Sequence, residues 1–260
     1  MSIRSGEPRR CSRKREPPQG AQFVNDIDNP NESPALRRPR VIVFDVNETL
    51  SDMSPLSERF ADVGAPTELA SLWFASVLRD GFALTAVGAA RPFADVASGL
   101  LAVMLPPEAL NREIDDAVEH IMGGFMGLDV HPDVADGIRA LTALEIRLIT
   151  LSNGAVGVAQ KLLEGAGVLE HAEMLLSVEA AGAWKPAAQS YRYALDRCGV
   201  EPHEAMLVAV HPWDIDGAHR AGLSTAWINR TGTTYPQHFT APDLEATSLL
   251  HLEQLLQHAT

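Results

Sequence analysis

With 260 residues, 46% of them apolar, and a formal net charge of −13, the chain can build one sizeable globular domain or one domain carrying an insertion. The acidity argues against wholesale nucleic-acid binding and against attraction to anionic membranes. Two cysteines, Cys11 and Cys198, imply neither a disulfide framework nor a thiolate metal site, and there is no apolar run long enough to span a bilayer.

The charge is uneven. Residues 1–40 hold nine Lys/Arg against five Asp/Glu, which leaves twelve against twenty-nine for the rest, so a basic group in a pocket of the body would stand out. This N-terminal stretch has almost no apolar periodicity and is expected to be a disordered basic tail. Its cluster Arg9–Arg15 lacks an apolar h-region behind it, so it does not read as a secretory signal, and a cytoplasmic location is expected.

Residues 41–50, Val-Ile-Val-Phe-Asp-Val-Asn-Glu-Thr-Leu, open the folded part. Four apolar residues running into Asp45 predict a strand buried on both faces, as in a parallel sheet. Ligands bind beyond the carboxyl ends of such strands, which would put Asp45 at the mouth of a site; capping of the next turn is the plainer role for an Asp there. Helical spacing follows. Leu69, Leu72, Trp73, Ser76 and Val77 share a face behind Pro66 and Thr67, Phe93–Met104 is a helix stopped by Pro106-Pro107, and a third is expected from Pro107 to about Met126. So long a helical stretch before the next strand predicts an inserted helical cap, residues 51–127, on a core made of 41–50 and 128–260.

Alternation then resumes. Helices are expected at His131–Leu144, Val156–Ala166, Ala187–Cys198, Ile215–Ala221 and Leu249–Leu256, and strands at Arg147–Leu151, Met174–Ser177, Ala205–Val210 and Ser224–Ile228. The expected class is α/β, a Rossmann-like doubly wound parallel sheet.

Three further strand ends carry polar groups. Ser152-Asn153-Gly154 offers a hydroxyl and an amide to an anion, or an N-cap to the next helix. Lys185, one of only three lysines, precedes Pro186, which fixes an extended turn at a helix entrance. His211-Pro-Trp-Asp214-Ile-Asp216 follows an apolar strand and could supply a base, a water-holder or turn caps.

In this order the four motifs resemble the haloacid dehalogenase superfamily over about residues 41–230, and most of all its type II haloacid dehalogenase branch. The resemblance implies a Rossmann-like core with a helical cap. It assigns Asp45 as nucleophile, held by Thr49 and Lys185, with Asp214 to position water and Ser152 and Asn153 to bind a substrate carboxylate; Tyr191 after the Lys-Pro is retained. Superfamily phosphatases carry a second Asp two residues beyond the nucleophile, where this chain has Asn47, which cannot act as a general acid. A halide needs no proton to leave. The implied reaction is therefore hydrolysis of short 2-haloacids without a metal or other cofactor, by an enzyme with no nucleic-acid or membrane partner and with a homodimer left open. A magnesium-dependent phosphatase using Asp45, Asp214 and Asp216, and a non-catalytic binding protein, are the alternatives.

The chain also departs from the pattern. Phe74 stands where the family's cap arginine is expected, Ala209 where Ser is usual, and His211 where Asn is. Arg79 and His211 are the candidates to bind the departing halide in place of that arginine. Arg79 is offset from position 74 by about 140° around the helix, which favours His211, and the bulk of His211 points to a preference for haloacetates.

Overall fold

The computed structural model describes residues 37–259. The early expectation of a disordered tail lies outside them up to residue 36. The last residues assigned to that tail belong to the fold, however: Arg38 donates to the carbonyls of Leu256 (3.2 Å) and Gln257 (3.0 Å), and Arg40 pairs with Glu204 at 2.8 Å.

Val41–Phe44 forms β1, whose side chains are all buried. Four helices follow: α1 (Leu56–Asp62), α2 (Leu69–Ala86), α3 (Phe93–Met104) and α4 (Ile114–Phe125). Then come α5 (Val134–Ala143), β2 (Arg147–Ser152), α6 (Val156–Gly165), β3 (Ala172–Ser177), the short α7 (Val178–Ala181) and α8 (Ala188–Cys198). The chain closes with β4 (Ala205–Ala209), α9 (Pro212–Arg220), β5 (Ser224–Ile228), β6 (Leu244–Ala246) and α10 (Leu249–Gln257). All six strands are parallel, in the order β3-β2-β1-β4-β5-β6. This is the α/β doubly wound sheet that the alternating pattern predicts.

Because side chains alternate across a strand, β1 feeds two apolar clusters. Ile42 and Phe44 pack with Ile138, Leu163 and Leu252 from α5, α6 and α10 on one face. Val41 and Val43 belong to the other cluster, which also takes in Leu195 and Ile215. Each such side chain taken fully out of water contributes about 1.5–3 kcal/mol before ordering costs.

Helices α1–α4 sit between two connections that pair with each other. The Asp52 amide donates to Asp129 O (2.8 Å) and the His131 amide to Leu50 O (2.9 Å). Their core is aromatic: Trp73 lies 6.1 Å from Phe60 and 5.9 Å from Phe125, and its indole N–H donates to Ala97 O at 2.9 Å. Trp184, in the loop after α7, reaches the same helices, with its indole on Arg91 O (2.8 Å) and its amide on Thr85 Oγ1 (3.1 Å).

Several boundaries differ from the sequence reading. The helix expected from Pro107 begins only at Ile114, because Asn111 and Arg112 are drawn off to the carbonyl of Asp62 (3.0 and 2.9 Å). Helix α9 begins at Pro212 rather than Ile215, proline being pre-set for the first helical position. Helix α2 runs nine residues past Val77, while α1, α7 and β6 were not expected.

Gly81 on α2 packs directly against Trp184: a Cβ there would stand 2.2 Å from its ring. That indole is 1% exposed and pinned at its N–H, so it cannot swing away. Gly81→Ala should therefore destabilise the protein by about 1–3 kcal/mol, read as a shift in the urea midpoint. An unchanged midpoint would mean that α2 is free to shift away from Trp184.

Candidate active site

Asp45 is the residue after β1, and its amide still continues the sheet by donating to Val208 O of β4 (3.0 Å). The backbone then turns back, so Thr49 comes beside it: the Thr49 hydroxyl donates to Asp45 Oδ2 (2.7 Å) and accepts from the Val210 amide (3.1 Å). That one hydroxyl fixes the carboxylate against the end of β4.

Lys185 arrives from the loop between α7 and α8. The turn that launches it has Gly182 at φ 72°, a left-handed conformation that glycine adopts without strain. Asn153, beyond β2, holds the loop in place: its Oδ1 accepts from the Lys185 amide (2.9 Å) and its Nδ2 donates to the Lys185 carbonyl (3.4 Å). The ammonium then donates to Asp45 Oδ1 (2.8 Å) and to Asp214 Oδ2 (2.5 Å). Asp214 lies in the first turn of α9, where the helix dipole favours a carboxylate. Tyr191 on α8 donates to its other oxygen (2.5 Å). Lys185 and Asp214 are fully buried and Asp45 is 4% exposed.

One ammonium thus serves two carboxylates. Burial alone would push Asp45 up, but Lys185 and then His211, with the hydrogen bonds from Lys185 and Thr49, hold its carboxyl below the usual range. Asp214 goes the other way: burial raises it, Lys185 opposes this, and the charge of Asp45 adds to the rise. Burial pulls Lys185 down, but Asp214 and Asp45 more than offset it and its ammonium is held charged. The arrangement separates the pair into an ionised carboxylate poised to attack and a more basic one suited to accept a proton.

Aromatic rings close the near side. His211 stacks on Trp213 (4.9 Å, 21°), Trp213 meets Phe82 edge-on (5.0 Å), and Phe74 lies 6.4 Å from both His211 and Phe93. Beyond them opens a cleft of about 530 Å³ lined by Glu48, Met53, Phe74, His131, His211 and Arg230 among others.

The structure brings Asp45, Thr49, Lys185 and Asp214 into one hydrogen-bonded group, with Ser152, Asn153, Tyr191, His211 and Phe74 around it. Three expected roles change. Tyr191 holds Asp214 instead of facing substrate, and Asn153 spends its amide on the Lys185 loop with one N–H left over. Arg79 is not brought to the site: it lies on the outer face of α2 with 68% of its side chain exposed, paired with Asp80 at 2.8 Å, as its angular offset from Phe74 requires. Trp213 and Glu48 border the site without having been singled out. A Trp beside the strand-end His was a readable signal for the first; no sequence signal pointed to the second.

A strand-end aspartate, a bridging lysine and a second carboxylate on a doubly wound sheet make a site in which a carboxylate can act as nucleophile. The haloacid dehalogenase-like hydrolase family model matches residues 39–222. The (S)-2-haloacid dehalogenase 1 of Pseudomonas sp. (strain CBS-3) is 30% identical over 223 residues, which are 85% of this chain and 98% of that one. The haloacetate dehalogenase H-2 of Moraxella sp. (strain B) is 25% identical over 84% of this chain and 99% of its own. A solved dehalogenase in an intermediate complex superposes with a TM-score of 0.78 at 28% identity, covering 85% of this chain and 98% of that one. The chain belongs to the haloacid dehalogenase-like hydrolase family.

Removing the ammonium would leave two buried carboxylates with no cation. Lys185→Met should cost about 3–5 kcal/mol in chemical denaturation, while the exposed Lys161→Met should stay within about 0.5 kcal/mol. Equal small losses would show that the two carboxylates do not depend on Lys185 for their burial.

Proposed function

We propose that this chain hydrolyses short 2-haloacids to 2-hydroxy acids through an ester on Asp45. The observation that carries the reading is the Asp45–Lys185–Asp214 group beside an Asn47 that has no proton to give. An oxygen of Asp45 attacks the carbon bearing the halogen, the carbon–halogen bond breaks and halide leaves with its electron pair. Water, losing its proton to Asp214, then attacks the Asp45 carboxyl carbon; the ester C–O bond breaks, the leaving alkoxide takes that proton back from Asp214 as the hydroxy acid, and Asp45 is regenerated. Ser152 and the amide end of α6 offer donors to the substrate carboxylate. The rings of Phe74, His211 and Trp213 crowd the nucleophile and favour haloacetates over longer acids. The named activities of the Pseudomonas and Moraxella relatives support the same class. We further take the enzyme to act in the cytoplasm; no helix among the described residues is long and apolar enough to cross a membrane.

A magnesium phosphatase fits less well. Asp216 is turned away: it is held by Arg220 (2.8 Å) and Thr240 (2.6 Å), its carboxyl kept well below the usual range by the Arg220 hydrogen bond in spite of partial burial. Lys185 already stands between the two remaining carboxylates.

Single turnover of chloroacetate in ¹⁸O-water should place label in Asp45, and Asp45→Asn should lose roughly a thousandfold or more in halide release. Label confined to product would exclude the ester. Halide release should persist in EDTA; abolition there, with magnesium-dependent turnover of p-nitrophenyl phosphate, would favour the phosphatase.

A further inference from the structure

The turn after β1 carries both Asp45 and Thr49, and few bonds inside it fix its shape. The Leu50 and Ser51 amides donate to the Val46 carbonyl (2.9 and 3.0 Å), and the Glu48 amide donates to Ser51 Oγ (3.2 Å). Glu48 sits at φ 62°, the left-handed region that a side chain other than glycine adopts only under constraint. Much of that constraint comes from outside the turn. Four consecutive carbonyls are each taken by a donor from elsewhere in the chain. Asn47 O meets His211 Nε2 (3.1 Å), Glu48 O meets His131 Nε2 (2.9 Å), Thr49 O accepts from Arg230 Nη2 (2.8 Å) and Leu50 O from the His131 amide (2.9 Å).

Arg230 stands two residues beyond β5, so it reaches across the end of β4 to the turn after β1. Its Nη1 donates to Asp133 Oδ1 (2.7 Å), and Asp133 Oδ2 accepts from the Leu249 amide (2.7 Å). The guanidinium is thereby tied to the starts of α5 and α10. Its side chain is 15% exposed, and its Nε is buried with no partner among the described residues. A buried donor without a partner costs free energy, so the placement is held by what the two ends of the fork gain. Asp133 accounts for one end and the Thr49 carbonyl for the other. Thr49 is also the residue whose hydroxyl bonds Asp45 Oδ2 (2.7 Å) and takes the Val210 amide (3.1 Å).

We propose that Arg230 is a positioning residue for the nucleophile: by holding the Thr49 carbonyl it fixes the Thr49 hydroxyl on Asp45, and so the direction from which Asp45 meets the carbon bearing the halogen. The proposal rests on the haloacid reading above. A group that bound substrate would act on KM. One that aims Asp45 acts on kcat, because substrate still binds beside a misdirected nucleophile. Arg230 also lines the 530 Å³ cleft, so a small cation from solution can reach the space that its side chain fills.

Arg230→Lys keeps a cation for Asp133, but a single nitrogen cannot reproduce the fork that spans Asp133 and Thr49. It should fold and lose roughly tenfold in kcat for chloroacetate, with KM within about twofold. Thr49→Val should lose a similar factor, and the double variant little more than either alone. Folded Arg230→Ala should regain most of its kcat with methylguanidinium and not with methylammonium. A raised KM with kcat retained, a failed rescue, or losses that multiply in the double variant overturns the role. Independently of turnover, the Leu50 and Ser51 amides should exchange with solvent roughly tenfold faster in Arg230→Lys, while the amides of β2 keep their parent rates. Unchanged exchange at the turn overturns the hold of Arg230 on it. A parent that releases no halide from any haloacid, in which Arg230→Lys still speeds the exchange, overturns the substrate reading and leaves that hold standing.

Discussion

The site depends on one buried ammonium shared by two buried carboxylates. A charge taken out of water is tolerated only when paired and hydrogen-bonded, so Lys185, Asp45 and Asp214 are each other's condition for burial. The triad keeps a net negative charge, and the protein does not divide it evenly. Asp45 also receives the Thr49 hydroxyl and faces His211, so it keeps its ionised form. Asp214 has the deeper position and the charge of Asp45 beside it, so it holds a proton more readily in spite of the Lys185 and Tyr191 donors. The two carboxylates are thus told apart around a single lysine, whose backbone Asn153 holds with both ends of its amide.

Topology makes this placement possible. In a parallel sheet every strand ends on the same edge, and β1 lies between β2 and β4. Asp45 thus emerges between Ser152 and the His211–Asp214 turn with no long side chain needed to reach it. Helices α1–α4 contribute rings rather than charges: Phe74 meets His211, Phe82 meets Trp213 and Phe93 stacks on Trp184. These rings lower the local dielectric, which strengthens each ionic contact beneath them and raises the penalty for an unpaired one.

Much of this was legible in the sequence, for physical reasons. The run Val41–Phe44 has to be buried on both faces, so the carboxylate after it had to lie at a strand end, and Lys185 stood out in an acidic chain with three lysines. Helix α3 matched its expected span and its proline stop. Elements held by tertiary contacts were not legible. Strand β6 is three residues long, α7 four, and the segment before α4 is bent by its own Asn111 and Arg112 side chains, which donate to the Asp62 carbonyl far back in the chain. Side-chain partners were read less well than positions. Tyr191 and Asn153 were placed near the site for substrate, when each holds another site residue. The positive φ of Glu48 left no trace in composition, because it is imposed by Ser51 and His131 rather than by a glycine.

Where the side chains beside Asp45 are mounted also decides how firmly they are held. A charge on α2 would change its distance to Asp45 with any displacement of that helix. His211 instead caps α9 on the same strand edge as Asp45, bonded to the Asn47 carbonyl and stacked on Trp213. Its distance to Asp45 is fixed by the hydrogen bonds of β1 with β4. With Phe74 there, α2 presents only a ring, and covering the site tolerates an error of an ångström far better than the placement of a charge does. Asp45, Lys185, Asp214 and His211 are then all carried by the sheet edge and its loops.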